Sequence, residues 1–163
     1  MNKLPTFQLV SEWLRYDKET GQIFWIKRPC PNVFAGSVAG TKTKSGYMQI
    51  FLQKRSYKAH RIAWLLYYGT WPELMIDHIN GDGMDNRISN LRLADPSINS
   101  QNQRRPQRRN VTGALGVSPA NGRWRAEISA FGRKKYLGTF DSPELAHAAY
   151  LEEKRKAHRG CTL

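Results

Sequence analysis

The chain has 163 residues, 40% of them hydrophobic, so it is long enough to bury a core and is not a disordered polar tail. Its apolar runs fall short of the roughly 20 residues that a membrane helix needs, and its first residues lack the apolar core of a secretory signal. We therefore expect no membrane association and a cytoplasmic location. The two cysteines, Cys30 and Cys161, are far apart, which argues against a zinc knuckle and a disulfide framework.

The net charge of +13 favours a polyanionic partner, and its distribution along the chain is uneven. Residues 1–70 contain eleven Lys or Arg and three Asp or Glu, whereas residues 71–100 contain two and five. Residues 101–163 are basic again, with thirteen Lys or Arg and five Asp or Glu. Two basic flanks suit a phosphate backbone, and the acidic island between them suits a cation site.

The first 58 residues are predicted to form an extension rich in β-structure. Apolar residues recur at helical spacing after Thr6, which predicts a helix over residues 6–16 with this threonine as its N-cap. Later patterns predict short strands on either side of a loop rich in Gly, Pro, Lys and Thr. The predicted strands are residues 22–26, 47–53 and 56–59, and the predicted loop is residues 28–46.

The next part of the chain has the order strand, loop, strand, helix. Before it, an apolar stretch over residues 61–68 ends at Gly69, which predicts a helix with a C-terminal glycine. A short strand is then predicted over residues 76–78, and a loop rich in Gly, Asp and Asn follows it. A second strand carries Ile88, Leu91 and Leu93, and Asp95-Pro96 opens a further helix.

Four polar residues in this part suit the hydrolysis of a phosphodiester: Asp77, His78, Asn90 and Asn99. A histidine can take the proton of a water near neutral pH because its free pKa is about 6.5. A divalent cation can hold the phosphate, and it prefers the oxygen ligands that Asp and Asn supply. Since neighbours on a strand point to opposite sides, Asp77 can ligate the ion while His78 faces the water. We expect Asn99 to reach the same ion and Asn90 to fix the orientation of the imidazole.

The segment from His60-Arg61 through IDHINGDGMDNRISNLRLADPSINSQN resembles the ββα-metal site of HNH endonucleases, in the phage and mobile-element branch whose last ligand is asparagine. The resemblance implies a nuclease core over residues 59–103 and a bacterial or phage-infected host cell. It implies that Asp77 and Asn99 bind one divalent ion, Mg²⁺ or Mn²⁺, that His78 is the general base and that Asn90 is the middle asparagine. His60 and Arg61 are possible accessory residues; His60 either contacts phosphate or the site, or packs against a helix.

A basic linker is predicted over residues 104–115, where Pro106 interrupts any long helix. Four of its residues are arginines and none is acidic, so we expect them to track phosphates. These residues are Arg104, Arg105, Arg108 and Arg109.

Residues 116–163 are predicted to form three short strands and one helix. Trp124, Ala126 and Ile128 alternate with polar residues, and Ser142-Pro143 is a well-formed helix start. The segment from GVSPANGRWRAEISAFGRKKYLGTF to the end of the helix is similar to the AP2-type DNA-binding domain, in which a three-stranded sheet enters the major groove. Trp124 either joins the core or stacks on DNA. The residues predicted to contact DNA are Arg123, Arg125, Arg133 and Lys135, with Lys134 less favoured.

The predicted fold class is α+β: a ββα-metal nuclease core with an N-terminal β-rich extension and a C-terminal AP2-like domain. The predicted function is a DNA endonuclease, of the homing or a related phage type, that acts on double-stranded DNA as a monomer or dimer. It is expected to leave 5′-phosphate and 3′-hydroxyl ends. Two alternatives remain open: a DNA-binding or regulatory protein with an inactive HNH site, and a nuclease directed at RNA.

Overall fold

A computed structural model describes residues 4–96, 101–102, 110, 112–130 and 133–158. The chain divides into two compact units, Met1–Asp95 and Pro96–Leu163. Both combine helices with small antiparallel sheets, which agrees with the predicted α+β class. Within the described residues, every helix is too short or too polar to cross a membrane.

The first unit alternates short strands with two helices. Its strands pair as β1 with β2, as the three-stranded sheet β3-β4-β5, and as the hairpin of β6 with β7. A single 3₁₀ turn, Ile88–Asn90, precedes the last strand. The elements are α1 Phe7–Trp13, β1 Leu14–Tyr16, β2 Ile23–Trp25, β3 Thr41–Lys42, β4 Met48–Leu52, β5 Arg55–Lys58, α2 Ala59–Tyr68, β6 Met75–His78 and β7 Leu91–Ala94.

Local signals at the ends of the two helices are confirmed, but one helix is shorter than predicted. Thr6 caps α1, because its hydroxyl accepts from the backbone N–H of Leu9 at 3.3 Å. The prediction that this helix runs to residue 16 is wrong: it ends at Trp13, since Leu14–Tyr16 pairs with β2 instead. Gly69 closes α2 in the left-handed conformation, as its position after the apolar stretch predicted.

One apolar core joins the N-terminal extension to the hairpin of β6 and β7. Val10 and Leu14 from the start of the chain share it with Ile62 of α2 and with Ile76 and Leu91 of the hairpin. Residues before position 59 are therefore built on the same core as the predicted nuclease elements. This shared burial fixes where the hairpin can lie within the unit.

Within the second unit, the described residues from 117 to 157 form a three-stranded antiparallel sheet with a helix packed on it. The strands are β8 Val117–Ala120, β9 Arg123–Ala130 and β10 Arg133–Phe140, in the order β10-β9-β8, and the helix is α3 Pro143–Ala157. This confirms the predicted order of elements. The hydroxyl of Ser142 accepts from the N–H of Leu145 at 3.2 Å, so the predicted helix start is also confirmed. Trp124 is partly buried against the core of Val117, Ala126 and Ala146, which supports its interpretation as a core residue.

Gly116 packs directly against the ring of Tyr150, and its replacement tests this packing. A Cβ at Gly116 would lie 2.0 Å from the ring, whereas a Cβ at Gly122 would meet nothing within 4 Å. Both glycines have φ above +70°, so an alanine would introduce similar backbone strain at either position. We predict that Gly116→Ala lowers the free energy of unfolding by about 2 kcal/mol more than Gly122→Ala does, from overpacking alone. Urea unfolding of both variants measures this difference, and equal losses would contradict the packing.

Candidate active site

The hairpin of β6 and β7 sets the positions of the predicted catalytic residues. Its antiparallel register pairs Asp77 with Arg92 and His78 with Leu91. The backbone N–H of Ile79 donates to the carbonyl of Asn90 at 2.8 Å, which continues the ladder into the connecting loop. Asp77 and His78 are therefore held on paired backbone at the point where the strand ends.

Asn90 organises the loop between the two strands. Its side-chain oxygen accepts from the N–H of Asn80 at 2.9 Å. Its amide group donates to the side-chain oxygen of Asn80 at 3.0 Å and to the backbone carbonyl of Asp85 at 2.8 Å. These bonds go to Asn80 and Asp85, and the orientation of the imidazole of His78 by Asn90 stays a prediction. Asn90 closes the loop, and a different asparagine contacts the imidazole.

His78 is buried, with 4% of its surface exposed, and its ring is held by Asn86. The Nε2 atom of His78 lies 3.2 Å from the Oδ1 atom of Asn86. Burial lowers the pKa of His78 below its ordinary value, although the bond to Asn86 and the nearby aspartates act in the opposite direction. The imidazole is therefore neutral near neutral pH, which is the form that accepts a proton.

His60 and Tyr47 complete an aromatic cluster around His78. The ring of His60 lies 5.1 Å from that of His78, edge to face, and the ring of Tyr47 lies 5.7 Å from each. His60 is buried at the first turn of α2, and its burial, with the neighbouring positive charges, lowers its pKa to about 3. Arg61 points elsewhere: it donates to the carbonyl of Pro72 and lies over the ring of Trp71.

The carboxylate of Asp77 is paired with Arg92, which the sequence patterns did not single out. The Nε and Nη2 atoms of Arg92 donate to Oδ2 of Asp77 at 2.9 and 2.7 Å. Asp77 is buried, with 6% of its surface exposed, so the guanidinium compensates much of the cost of burying this charge. The ion pair also fixes the direction of the carboxylate.

The register of the second sheet places the basic residues that were predicted to contact DNA on two opposite faces. Residues directly opposite in an antiparallel pair share a face. Lys134 pairs with Ser129, whereas Lys135 pairs with the buried Ile128 and donates to Glu153 of α3 at 2.6 Å. Arg133 pairs with Ala130 and so shares the helix side with Lys135. Lys134 shares the outer face with Arg123 and Arg125, both exposed.

Five predicted site residues lie outside the described residues: Asn99, Arg104, Arg105, Arg108 and Arg109.

Comparison with known proteins identifies the class of the hairpin. A family model described as HNH endonuclease matches residues 57–101, which include α2, β6 and β7. No solved structure matches the chain. Residues 57–101 therefore form a nuclease domain of the HNH class, and this class implies nuclease activity and a DNA partner.

A curated relative extends the similarity beyond this domain. The chain is 33% identical to Protein 3.8 of Escherichia phage T7 over 111 residues, which are 64% of this chain and 90% of that protein. The chain belongs to the same family as Protein 3.8. This similarity to a phage protein confirms the predicted relation to phage proteins.

The burial of His60 predicts a specific loss of stability in acid. The unfolded chain binds a proton at His60 near pH 6.5, whereas the folded protein binds it only near pH 3. The free energy of unfolding therefore falls as the pH decreases through this window. Between pH 6.5 and 4.5, we predict that the parent protein loses about 2 kcal/mol more than a His60→Gln variant. Urea unfolding at several pH values measures this, and parallel pH profiles would contradict it.

Proposed function

We propose that the chain is a DNA endonuclease that hydrolyses phosphodiester bonds with His78 as its general base. The observation that carries the proposal is a buried imidazole, kept neutral by its surroundings, next to Asp77 and inside an HNH domain. A general base must be unprotonated before it acts, and the lowered pKa of His78 meets this condition at neutral pH. The proposed products carry 5′-phosphate and 3′-hydroxyl ends.

The geometry around His78 supports different roles for its two ring nitrogens. Nε2 faces Asn86, so it is occupied by a structural hydrogen bond. We propose that Nδ1, the other ring nitrogen, takes the proton from water. Asn90 acts at a distance from this step, because its three hydrogen bonds hold the loop that carries Asn86.

We further propose that Asp77 and Asn99 hold one divalent ion, Mg²⁺ or Mn²⁺. The carboxylate of Asp77 is a hard oxygen donor of the kind these ions prefer, and Arg92 fixes its direction. Within the described part of the chain, no three His, Cys, Asp or Glu side chains gather to hold an ion by themselves. Oxygen donors of another type, such as the amide of Asn99 and the phosphate, must complete such a set. When bound, the ion would neutralise charge developing on the phosphate and the leaving oxygen.

The second unit is proposed to bind the duplex through an AP2-like sheet. The outer face of this sheet carries Arg123, Arg125 and Lys134, together with the exposed ring of Tyr136. Cations on a β-surface suit the phosphates and base edges of a major groove. Arg133 and Lys135, which were also predicted to contact DNA, share the side of the sheet on which α3 packs. We therefore propose Lys134 in place of Arg133 and Lys135 for this surface. We propose that Arg104, Arg105, Arg108 and Arg109 contact phosphates.

A DNA-binding protein with an inactive site is the second candidate. The observation that favours it is the ion pair between Asp77 and Arg92, because a guanidinium on the carboxylate takes up an oxygen that an ion could use. The two candidates differ in one measurement. The endonuclease nicks plasmid DNA with Mg²⁺ or Mn²⁺ and stops in EDTA, whereas the regulatory protein binds DNA without cutting it under either condition.

Replacing His78 separates chemistry from binding. We predict that His78→Ala lowers the cleavage rate by at least about 100-fold, since the general base contributes 10²–10⁴ to such reactions. Its affinity for duplex DNA should stay within about threefold of the parent, because the proposed binding surface lies on other residues. Plasmid nicking and a gel-shift assay on the same preparations test both parts. A variant that cuts as fast as the parent would eliminate His78 as the base.

Neighbouring lysines on opposite faces of the second sheet test the proposed DNA surface. We predict that Lys134→Gln weakens duplex binding several-fold and makes the salt dependence of log K shallower by about 1. Lys135→Gln is the matched control, since it removes the same charge from the helix side. Fluorescence anisotropy at several salt concentrations measures both slopes. Equal effects of the two substitutions would indicate that net charge, and not this face, determines binding.

A further inference from the structure

The hairpin of β1 and β2, far from His78 in sequence, contacts the loop that carries Asn86. The hydroxyl of Tyr16 donates to the backbone carbonyl of Asn86 at 2.8 Å, across 70 positions of the sequence. Tyr16 is half-buried, and burial raises the pKa of its phenol to about 12, so the hydroxyl keeps its proton. This bond ties the N-terminal part of the chain to the residue that contacts the imidazole.

Gly21, in the turn between these strands, makes the second contact with the same loop. A Cβ at this position would lie 2.4 Å from the backbone nitrogen of Arg87 and 2.7 Å from the carbonyl carbon of Asn86. Backbone atoms at this distance cannot move aside as a flexible side chain can. The φ of Gly21 is +73°, which also favours glycine. The turn therefore lies flat against the segment at positions 86 and 87.

Asn86 is itself held so that its oxygen, and not its nitrogen, faces His78. Its Nδ2 atom donates to the carbonyl of Met84 at 3.3 Å, which sets the orientation of the amide. Oδ1 then lies 3.2 Å from Nε2 of His78 and can only accept. The proton of the neutral imidazole must consequently be on Nε2, and the lone pair is left on Nδ1. Asn86 and His78 are each only 4% exposed, so water does not readily replace this bond.

We propose that Tyr16 and Gly21 are positioning residues of the nuclease site, which hold Asn86 so that His78 keeps its proton on Nε2 and presents Nδ1 as the base. This inference rests on the proposed function for its effect on the reaction rate, and on the geometry alone for its effect on the tautomer. It gives the N-terminal segment a task in the active site although that segment lies before the matched domain at residues 57–101. Loss of such a supporting residue typically costs an active site 10- to 100-fold.

A pair of glycine substitutions tests the proposal by its effect on rate. Gly21→Ala introduces both the left-handed strain and the collision with residues 86 and 87. Gly36→Ala introduces the strain alone, because Gly36 has φ +84° and nothing within 4 Å of its Cβ position. With parent protein that nicks plasmid DNA, we expect Gly21→Ala to lower kcat at least about tenfold with KM within about twofold. Gly36→Ala should leave both within about twofold. Equal kcat values for the two variants would overturn the proposal.

Tyr16→Phe provides a second variant in case Gly21→Ala does not fold. It keeps the ring and removes only the hydroxyl that donates to Asn86, so we expect a loss of kcat of several-fold without a change in KM. A change in KM with kcat intact would mean that Tyr16 acts in DNA binding and would overturn its positioning role.

The tautomer of His78 gives a readout that does not depend on cleavage. The chain has four histidines, so ¹⁵N shifts of the imidazole nitrogens can be assigned with a His78→Gln variant. We expect the parent and Gly36→Ala to show a protonated Nε2 and an unprotonated Nδ1 at neutral pH, and Tyr16→Phe and Gly21→Ala to show a mixture. A protonated Nδ1 in the parent, or unchanged shifts in both variants, would overturn the inference. A parent that never cuts DNA but shows the expected shifts would refute only the proposed nuclease function.

Discussion

The antiparallel pairing of Met75–His78 with Leu91–Ala94 is the constraint on which the site depends. These strands are only four residues long, so the hairpin cannot be stable without support. The support comes from Ile76 and Leu91, which are buried in the main core, and from Asn90, whose side chain closes the loop. Once the register is fixed, Asp77 and His78 have fixed positions, and a slip of one residue would turn both to the opposite side.

The proposed nuclease site extends beyond the segment that the HNH family model matches. Tyr47 packs beside His78, and Tyr16 contacts the loop through its hydroxyl, yet both lie before residue 57. The first unit shares one core from Val10 to Leu91, so these contacts are part of the same packed structure. A fragment limited to residues 57–101 would lack these contacts, and we expect it to be a poor enzyme even if it folds.

The sequence predicts those features that depend on near neighbours. Thr6 and Ser142 act as helix caps and Gly69 as a helix end, since each needs only residues within one turn. Pairing between distant segments is less visible, which is why the predicted helix at the N-terminus runs past Trp13. The same limit explains Asn86: several asparagines lie in this loop, and only the folded loop distinguishes the one that faces the imidazole.

In the proposed reaction, water attacks the phosphorus and the 3′ oxygen leaves, so each cut should carry a 5′-phosphate and a 3′-hydroxyl. The most direct measurement is to incubate supercoiled plasmid with the purified protein and Mg²⁺ or Mn²⁺, and then to treat the nicked product with DNA ligase. Our account predicts open circles that the ligase reseals, because each nick has a 5′-phosphate and a 3′-hydroxyl. Plasmid that stays supercoiled with every common divalent cation, or nicks that no ligase can close, would contradict it.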